Sequence, residues 1–293
     1  MTLSFAWRSE GRIHLASDSR ISLGENQYAD VGIKVLALPI HVTGTDLGDN
    51  GKPQILFQSR YGFCYAGSLV NASTLKDLLA ELLRSLQFIK PDEVPSFDTI
   101  CEMVAKYCGK ISTELCAYLA ERGGYEFFLA GFCPSKKILR AAHFSLDHKD
   151  GQASASFELI LEDDSTYCSI GTGTNAARQK IKDVNCKNML LALNAVIDEQ
   201  SVQSVGGDIQ YGSFDRNANF SISGIRRKSV EFATIDGINY GPTELILFKY
   251  RGLQLYQDWE PTINSFWVTP GFIELEVPSN VESNNAFRST LEI

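Results

Sequence analysis

The 293-residue chain lacks the features that mark a membrane protein or a nucleic-acid-binding protein. It contains no apolar run of about 18 residues, so no transmembrane helix is expected. No basic-then-apolar pattern of a signal peptide begins the chain. Its 27 lysines and arginines are outnumbered by 35 aspartates and glutamates. The resulting net charge of −8 argues against general binding to nucleic acid. We therefore expect neither a membrane nor a nucleic-acid partner.

Metal-ligand and cofactor motifs are also missing. The seven cysteines form no C-x-x-C pair, and the four histidines show no ligand spacing with cysteines or carboxylates. We therefore expect reduced thiols, a cytoplasmic protein, no metal and no cofactor. A phosphate-binding loop is not predicted at residues 171–174, because no G-K-[ST] follows them.

Hydrophobic periodicity predicts a mixed α and β protein. Alternating apolar residues on both sides of a turn at Glu10-Gly11 predict a β-hairpin that ends at Asp18. Apolar residues at three-four spacing predict helices at about 68–88, 97–119 and 187–199, between groups of strands. Residues 42–53 are polar and rich in glycine, which predicts a loop.

The second residue of the chain, Thr2, is suited to nucleophilic catalysis. The small side chain of Thr2 favours removal of Met1, which would leave Thr2 as a free amino terminus. A terminal threonine carries a nucleophile and a base on one residue, because its hydroxyl can attack a carbonyl and its α-amine can accept the proton. That amine has an ordinary pKa of about 8, so much of it is neutral near physiological pH. Taken alone, however, a small second residue is common.

Two charged residues follow Thr2 at fixed separations. Asp18 lies 16 positions after it and Lys34 lies 32 positions after it. In these separations, and in the tripeptide Asp18-Ser19-Arg20, the chain resembles the catalytic β-subunits of the proteasome, which are N-terminal-nucleophile (Ntn) hydrolases. The S-V-G-G segment at 204–207 and the length of the chain resemble the bacterial proteasome homologues in particular.

The resemblance implies a fold and a domain organisation. The implied fold class is α+β, a four-layer αββα sandwich in which two stacked, mainly antiparallel sheets lie between helix layers. It covers residues 2–225, which we predict to form the Ntn-hydrolase domain. Residues 226–293 are predicted to be a C-terminal extension, with an edge extension, an assembly arm and a pore cover all open as roles.

The resemblance also implies roles for individual residues. Thr2, Asp18 and Lys34 would carry the catalysis. The backbone N–H of Gly67 would help to form the oxyanion hole, and Thr172 stands where the family has a serine beside the terminal amine. A plain turn before a helix explains Gly67 equally well, and a strand-to-helix turn also explains Thr172.

Further residues fall at the family's binding and supporting positions. Arg20 and Ser22, together with Gly67, would contact the substrate backbone. Ser19, Ser201 and Ser204 would support the site, although Ser201 stands where the family often has an aspartate. Lys34 and Gly67 are 33 positions apart, which is longer than usual and predicts an inserted hairpin around residues 40–58, near the expected pocket.

These residues lead to one predicted function and two alternatives. The first is a threonine-type peptidase that cleaves peptides or unfolded proteins through an acyl-enzyme. The resemblance implies a homo-oligomeric ring in the cytoplasm and leaves an ATP-dependent unfoldase partner open. The alternatives are an Ntn amidase that acts on small amides and a non-catalytic ring or scaffold subunit.

Overall fold

The structure is a computed structural model that describes residues 2–24, 27–47, 51–89, 93–119, 123–149, 152–164, 166–183, 189–235, 238–257 and 270–275. Its strands are β1 (Ser4–Ser9), β2 (Arg12–Ser17), β3 (Ile21–Gly24), β4 (Gln27–Ala29), β5 (Val35–Leu47), β6 (Pro53–Gly67), β7 (Leu86–Gln87), β8 (Tyr125–Cys133), β9 (Ile138–Lys149), β10 (Gln152–Ile160), β11 (Tyr167–Ile170), β12 (Gln210–Phe214), β13 (Phe220–Ile235), β14 (Ile238–Tyr250), β15 (Leu253–Gln257) and β16 (Phe272–Leu275). Its helices are α1 (Leu69–Leu82), α2 (Phe97–Leu119), α3 (Thr174–Asp183) and α4 (Met189–Glu199), and a 3₁₀ turn (Leu83–Ser85) follows α1.

The strands form two large sheets and a small one. The larger sheet has the order β11-β1-β2-β12-β13-β14-β15, with β16 paired to β13. The second sheet has the order β10-β9-β8-β6-β5-β7, and β3 pairs with β4 alone. The predicted hairpin that ends at Asp18 is confirmed, since β1 and β2 pair antiparallel from Ser4↔Ser17 to Ser9↔Arg12.

The predicted four-layer αββα sandwich is wrong as a description of this chain. Among the described residues, strands clearly outnumber helices, and a curled sheet forms a half-barrel. The apolar pattern predicted too few strand residues. Four strands, β5, β6, β13 and β14, run for 13 to 16 residues. In β5, buried and more exposed positions alternate, so its polar residues belong to one face of a strand. Residues 42–47, predicted as loop, are therefore strand.

Apolar side chains tie these elements together in three clusters. One joins α1 and α2 to the six-stranded sheet, through residues such as Leu75, Val104 and Phe63. Another joins α3 and α4 to β1, β2 and β12. The third contains side chains of both large sheets, and Leu15 and Phe220 leave no room for a side chain at Gly62. The strands that carry the N-terminal residues are thus held from both sides.

The helix predictions were accurate where the apolar spacing was regular. Helix α2 spans Phe97–Leu119, as predicted, and its Cys101 and Cys108 are buried. Helix α1 ends earlier than predicted, at Leu82, and Ser68 caps it by accepting a hydrogen bond from the backbone N–H of Asn71 at 3.4 Å. Five cysteines form no disulfide, and Cys116 and Cys186 lie outside the described side chains.

The predicted boundary at residue 225 falls inside a strand. Strand β13 crosses it, and β14 and β15 continue the same sheet. The division into two domains stays a prediction, and residues 276–293 lie outside the described part of the chain. None of the described helices is long and apolar enough to span a membrane.

Candidate active site

The β1–β2 hairpin brings the beginning of the chain to Asp18. The backbone N–H of Leu3 donates to Asp18 Oδ1 at 3.0 Å, and the N–H of Asp18 donates to the carbonyl of Leu3 at 3.2 Å. Asp18 is fully buried, and Thr2 is only 2% exposed. The backbone of residues 2 and 3 is therefore fixed against the carboxylate of Asp18.

Lys34 reaches the same carboxylate oxygen. It lies between β4 and β5, and its Nζ donates to Asp18 Oδ1 at 2.9 Å. The side chains are 1% and 0% exposed, so this is a buried ion pair. Since Leu3 N and Lys34 Nζ both contact one oxygen, the two nitrogens lie within about 6 Å of each other. The structure thus places the Lys34 ammonium beside the backbone of the first residues.

The other carboxylate oxygen of Asp18 is also satisfied. The backbone N–H groups of Arg20 and Gly206 each donate to Oδ2 at 3.1 Å. With Leu3 and Lys34, four donors surround one buried carboxylate. A buried charge requires such partners, because each missing one would leave the desolvation cost uncompensated.

Burial shifts the pKa values of two ionisable groups at this site, Lys34 and Cys64. It lowers the pKa of the Lys34 ammonium, and the neighbouring Asp18 carboxylate opposes that change. The pKa of the fully buried Cys64 thiol is raised to about 12, chiefly by burial, so this thiol is neutral near pH 7. Asp18 is therefore the group that favours the charged form of Lys34.

Gln210 holds the backbone of Lys34, and the sequence analysis missed it. Its side-chain Oε1 accepts hydrogen bonds from the backbone N–H of Lys34 at 2.9 Å and of Val35 at 3.2 Å. Its Nε2 donates to the carbonyl of Gly32. Gln210 is 1% exposed at the start of β12. No local motif marks it, because its partners are distant in sequence.

A glycine turn after β11 holds the carbonyl of Thr2. Gly173 N donates to Thr2 O at 3.3 Å. Gly171 has a φ of +91°, and a Cβ at this position would overlap Thr2 O and lie 3.1 Å from the Cβ of Ala66. The requirement for glycine at 171 comes from this close approach. No sequence motif predicted this role for Gly171.

Thr172 lies in this turn and contacts one predicted supporting residue. Its Oγ1 is 2.8 Å from the Oγ of Ser204. Ser204 is buried, whereas Ser201 is exposed. The structure therefore brings Thr172 and Ser204 together near the Thr2 backbone.

Ser19 and Arg20 serve the architecture of the neighbouring segments. Ser19 Oγ donates to the carbonyl of Asp30 at 2.7 Å and accepts from the N–H of Asp208 at 2.8 Å. The guanidinium of Arg20 makes a bidentate ion pair with Asp30, at 2.7 and 2.9 Å. Ser22 is exposed in β3. Among the three predicted substrate contacts, the Arg20 side chain is already engaged with Asp30 and Ser22 is accessible.

Gly67 ends β6 and meets another strand closely. Its φ is +111°, and a Cβ would lie 2.6 Å from the carbonyl of Gly124 and 2.7 Å from the Cα of Tyr125. This contact explains the glycine without any ligand. Its neighbour Ala66 lies next to Gly171, which places the end of β6 beside the turn that holds Thr2.

The long hairpin of β5 and β6 extends away from Lys34. The two strands pair antiparallel from Val35↔Cys64 to Leu47↔Pro53. Twelve positions along a strand correspond to about 40 Å. The tip of the hairpin is therefore remote from the Asp18–Lys34 pair of the same chain, although the sequence analysis placed the insertion near the pocket.

The described residues contain no group of three His, Cys, Asp or Glu side chains that could hold a metal ion. The chemistry available at the Asp18–Lys34 pair is that of a buried ammonium, a carboxylate and backbone amides. The ammonium and the backbone N–H groups can stabilise negative charge that develops on a nearby oxygen, while the carboxylate compensates the charge of the ammonium.

No known family model matches the chain, and no curated protein sequence matches it. Solved structures do share its fold. The helical assembly of the Anbu complex from Pseudomonas aeruginosa has a TM-score of 0.52 and 16% identity, over 75% of this chain and 85% of that chain. Anbu (ancestral beta-subunit) from Yersinia bercovieri has a TM-score of 0.49 and 17% identity, over 75% and 82%. An Anbu (Gly-1) mutant from Hyphomicrobium sp. strain MC1 has a TM-score of 0.49 and 18% identity, over 76% and 85%. At such identities the likeness concerns the fold alone.

The resemblance to the proteasome β-subunits and to bacterial proteasome homologues is corrected by this comparison. The structural neighbours are Anbu proteins, which are proteasome-like but form a distinct family. Three residues at fixed separations describe a local arrangement in a hairpin and a following strand. Such a local arrangement does not distinguish one family from another, which is why the resemblance based on it is wrong.

Proposed function

We propose that this chain hydrolyses amide bonds as a threonine-type peptidase, with Thr2 as nucleophile after removal of Met1. The observation that carries the proposal is the shared oxygen of Asp18, which accepts from both the Leu3 N–H and Lys34 Nζ. It fixes a buried ammonium beside the residue that would attack. A buried cation near a hydroxyl favours loss of the hydroxyl proton.

The reaction follows from the charges at the site. Thr2 Oγ attacks the substrate carbonyl, and its proton passes to the α-amine of Thr2. The Lys34 ammonium stabilises the developing negative charge, and Asp18 keeps that ammonium charged and oriented. The leaving amine takes the proton, an acyl-enzyme remains on Oγ, and water then releases it.

The remaining predicted residues take supporting roles in this proposal. The backbone N–H of Gly67 would donate to the oxyanion, because the end of β6 lies beside the turn that holds Thr2. The paired hydroxyls of Thr172 and Ser204 would orient the terminal amine. Ser22 would contact the substrate backbone, and Arg20 and Ser19 would hold the surrounding segments.

Self-assembly into a homo-oligomer belongs to the same proposal. One structural neighbour, with a TM-score of 0.52, is described as a helical assembly. A peptidase in the cytoplasm, acting on peptides or unfolded chains, would need its sites enclosed. Light scattering on the purified chain would give the mass of the assembly, and a monomer at all concentrations would exclude this part. We do not propose an unfoldase partner.

The burial of Thr2 favours a second candidate, a non-catalytic scaffold subunit. With 2% of its surface exposed, Thr2 is poorly reachable by a substrate. In a catalytic chain, removal of Met1 must make Thr2 accessible to the substrate. A scaffold subunit has no such requirement. Mass measurement of the amino-terminal peptide shows whether Met1 is retained, and retention would support the scaffold.

Substitution of Thr2 tests the proposal. Thr2→Ala should abolish hydrolysis of fluorogenic peptides, because no other hydroxyl replaces Oγ, while Thr2→Ser should retain part of it. Thr74→Ala is a matched control, since the exposed hydroxyl of Thr74 donates to the carbonyl of Val70 within its own helix, α1. Undiminished turnover in Thr2→Ala would reject the proposal. A parallel panel of simple acyl amides would distinguish a peptidase from a small-amide hydrolase.

A further inference from the structure

The segment that supplies Gly206 to Asp18 is attached to the C-terminal strands. Gly206 donates its N–H to Asp18 Oδ2, and two positions later the N–H of Asp208 donates to Ser19 Oγ. These two bonds fasten the segment to both Asp18 and its neighbour in sequence. The position of the segment therefore bears directly on the carboxylate that holds Lys34.

The side chain of Asp208 points to cations of the C-terminal region. Lys249 Nζ, in β14, donates to Asp208 Oδ2 at 3.0 Å, and Arg227 Nη2, in β13, lies 3.8 Å from Oδ1. The exposed fractions are 16% for Asp208, 20% for Lys249 and 27% for Arg227. Such partly buried pairs are screened less by solvent than pairs on an open surface.

A second contact from the same strands meets the site from outside. The turn between β14 and β15 contains Gly252, at a φ of +85°. A Cβ at this position would lie 3.0 Å from Ser19 Oγ and 3.1 Å from the carbonyl of Asp30. The turn thus packs against the same Ser19 hydroxyl that accepts from the N–H of Asp208. This packing contact does not depend on the ion pairs of Asp208.

We propose that β13, β14 and the turn that follows β14 form a clamp that positions the site, with Lys249 and Arg227 as positioning residues acting through Asp208. The clamp holds residues 206–208 against Asp18 and Ser19, and through Asp18 it fixes Lys34. This rests on the proposed function, because a positioning role requires the reaction at Thr2. It assigns a role to part of the region for which the sequence left several roles open.

Lys249→Met tests the clamp, since it removes the charge and keeps much of the length. We expect amide hydrogen exchange in peptides covering residues 203–208 to become about tenfold faster, which corresponds to about 1.4 kcal/mol. We expect kcat for peptide hydrolysis to fall by a similar factor with KM little changed, because Lys249 does not contact substrate. Lys249→Arg should keep the exchange rate and kcat close to those of the parent chain. Asp208→Asn should change both in the same way as Lys249→Met. Lys136→Met is the matched control, because Lys136 is 52% exposed and 3.5 Å from Asp98 on another part of the surface.

Unchanged exchange in both Lys249→Met and Asp208→Asn would overturn the clamp. Faster exchange with an unchanged kcat would also overturn it, since the strands would then hold the segment without serving the reaction. The exchange measurement needs no turnover, so it is separate from the test of Thr2. If Thr2→Ala kept full activity, the proposed function would fail whatever the exchange showed.

Discussion

Replacing Asp18 by asparagine changes one atom in the most highly connected side chain of the site. The carboxylate accepts from four donors, two on each oxygen, at 2.9 to 3.1 Å. In Asp18→Asn one oxygen becomes an NH₂ group, which cannot accept. Whichever way the amide turns, two of the four donors face another donor. The negative charge that compensates Lys34 is lost as well.

The size of the effect follows from these losses. Each buried donor left without an acceptor costs about 1–3 kcal/mol. Breaking a buried ion pair costs about 3–5 kcal/mol. The two losses share atoms and do not add in full, so we expect the free energy of unfolding at pH 7 to fall by about 3–6 kcal/mol. This is a large fraction of the roughly 5–15 kcal/mol that stabilises a domain.

The loss of unfolding free energy in Asp18→Asn should depend on pH. Burial already lowers the pKa of Lys34 from 10.5, and without the opposing carboxylate it falls further. A lysine whose pKa is lower in the folded than in the unfolded state stabilises the fold as pH rises between the two values, because the unfolded state binds more protons there. The pH range between the folded-state and unfolded-state pKa values of Lys34 is wider in Asp18→Asn than in the parent chain. The deficit should therefore shrink from pH 7 to pH 9.5, by up to about 1.4 kcal/mol per pH unit.

Urea denaturation followed by circular dichroism at both pH values measures this. Asp77→Asn is the matched control, because Asp77 is 74% exposed and 2.9 Å from Lys76, a surface pair expected to contribute less than about 1 kcal/mol. A loss in Asp18→Asn no larger than that of the control would refute the account of the buried pair. A deficit that stays constant between the two pH values would refute the account of Lys34.

Two further outcomes are expected. Gly171→Ala should lower the free energy of unfolding by more than about 2 kcal/mol and reduce turnover, because its Cβ would overlap Thr2 O. Gly11→Ala isolates the backbone strain, since Gly11 has a φ of +71° and nothing within 4 Å of a built Cβ. Equal effects of the two substitutions in thermal melts would contradict this. Turnover should also decline on the alkaline side below pH 10.5, because the charged form of Lys34 is required and burial lowers its pKa. A rate that stays level up to pH 10.5 would contradict it.

Local patterns in the sequence predicted the parts of the fold that depend on neighbouring residues. The β1–β2 hairpin needed only alternating residues around Glu10-Gly11, and α2 needed only its apolar spacing. The full length of β5 was harder to predict, because its residues 42–47 carry polar side chains on one face and resemble a loop. The fold class was therefore wrong although most elements were present.

The candidate site divides in the same way. Asp18 follows β2 and Lys34 precedes β5, and the family resemblance at their fixed separations implied that they meet. Gly206 and Gln210 reach the site from 188 and 176 positions away, and no periodicity or spacing links them to it. Their roles depend on the order in which β2 and β12 pair in the sheet. That order is a property of the tertiary fold, which local patterns do not determine.

The mass of the intact chain before and after exposure to a threonine-directed electrophile tests most directly whether Thr2 is the nucleophile. We expect a chain that begins at Thr2, gains one adduct, and carries it on the amino-terminal peptide. Thr2→Ala should gain none. A chain that keeps Met1, or an adduct located elsewhere and retained in Thr2→Ala, would contradict the assignment of Thr2 as the nucleophile.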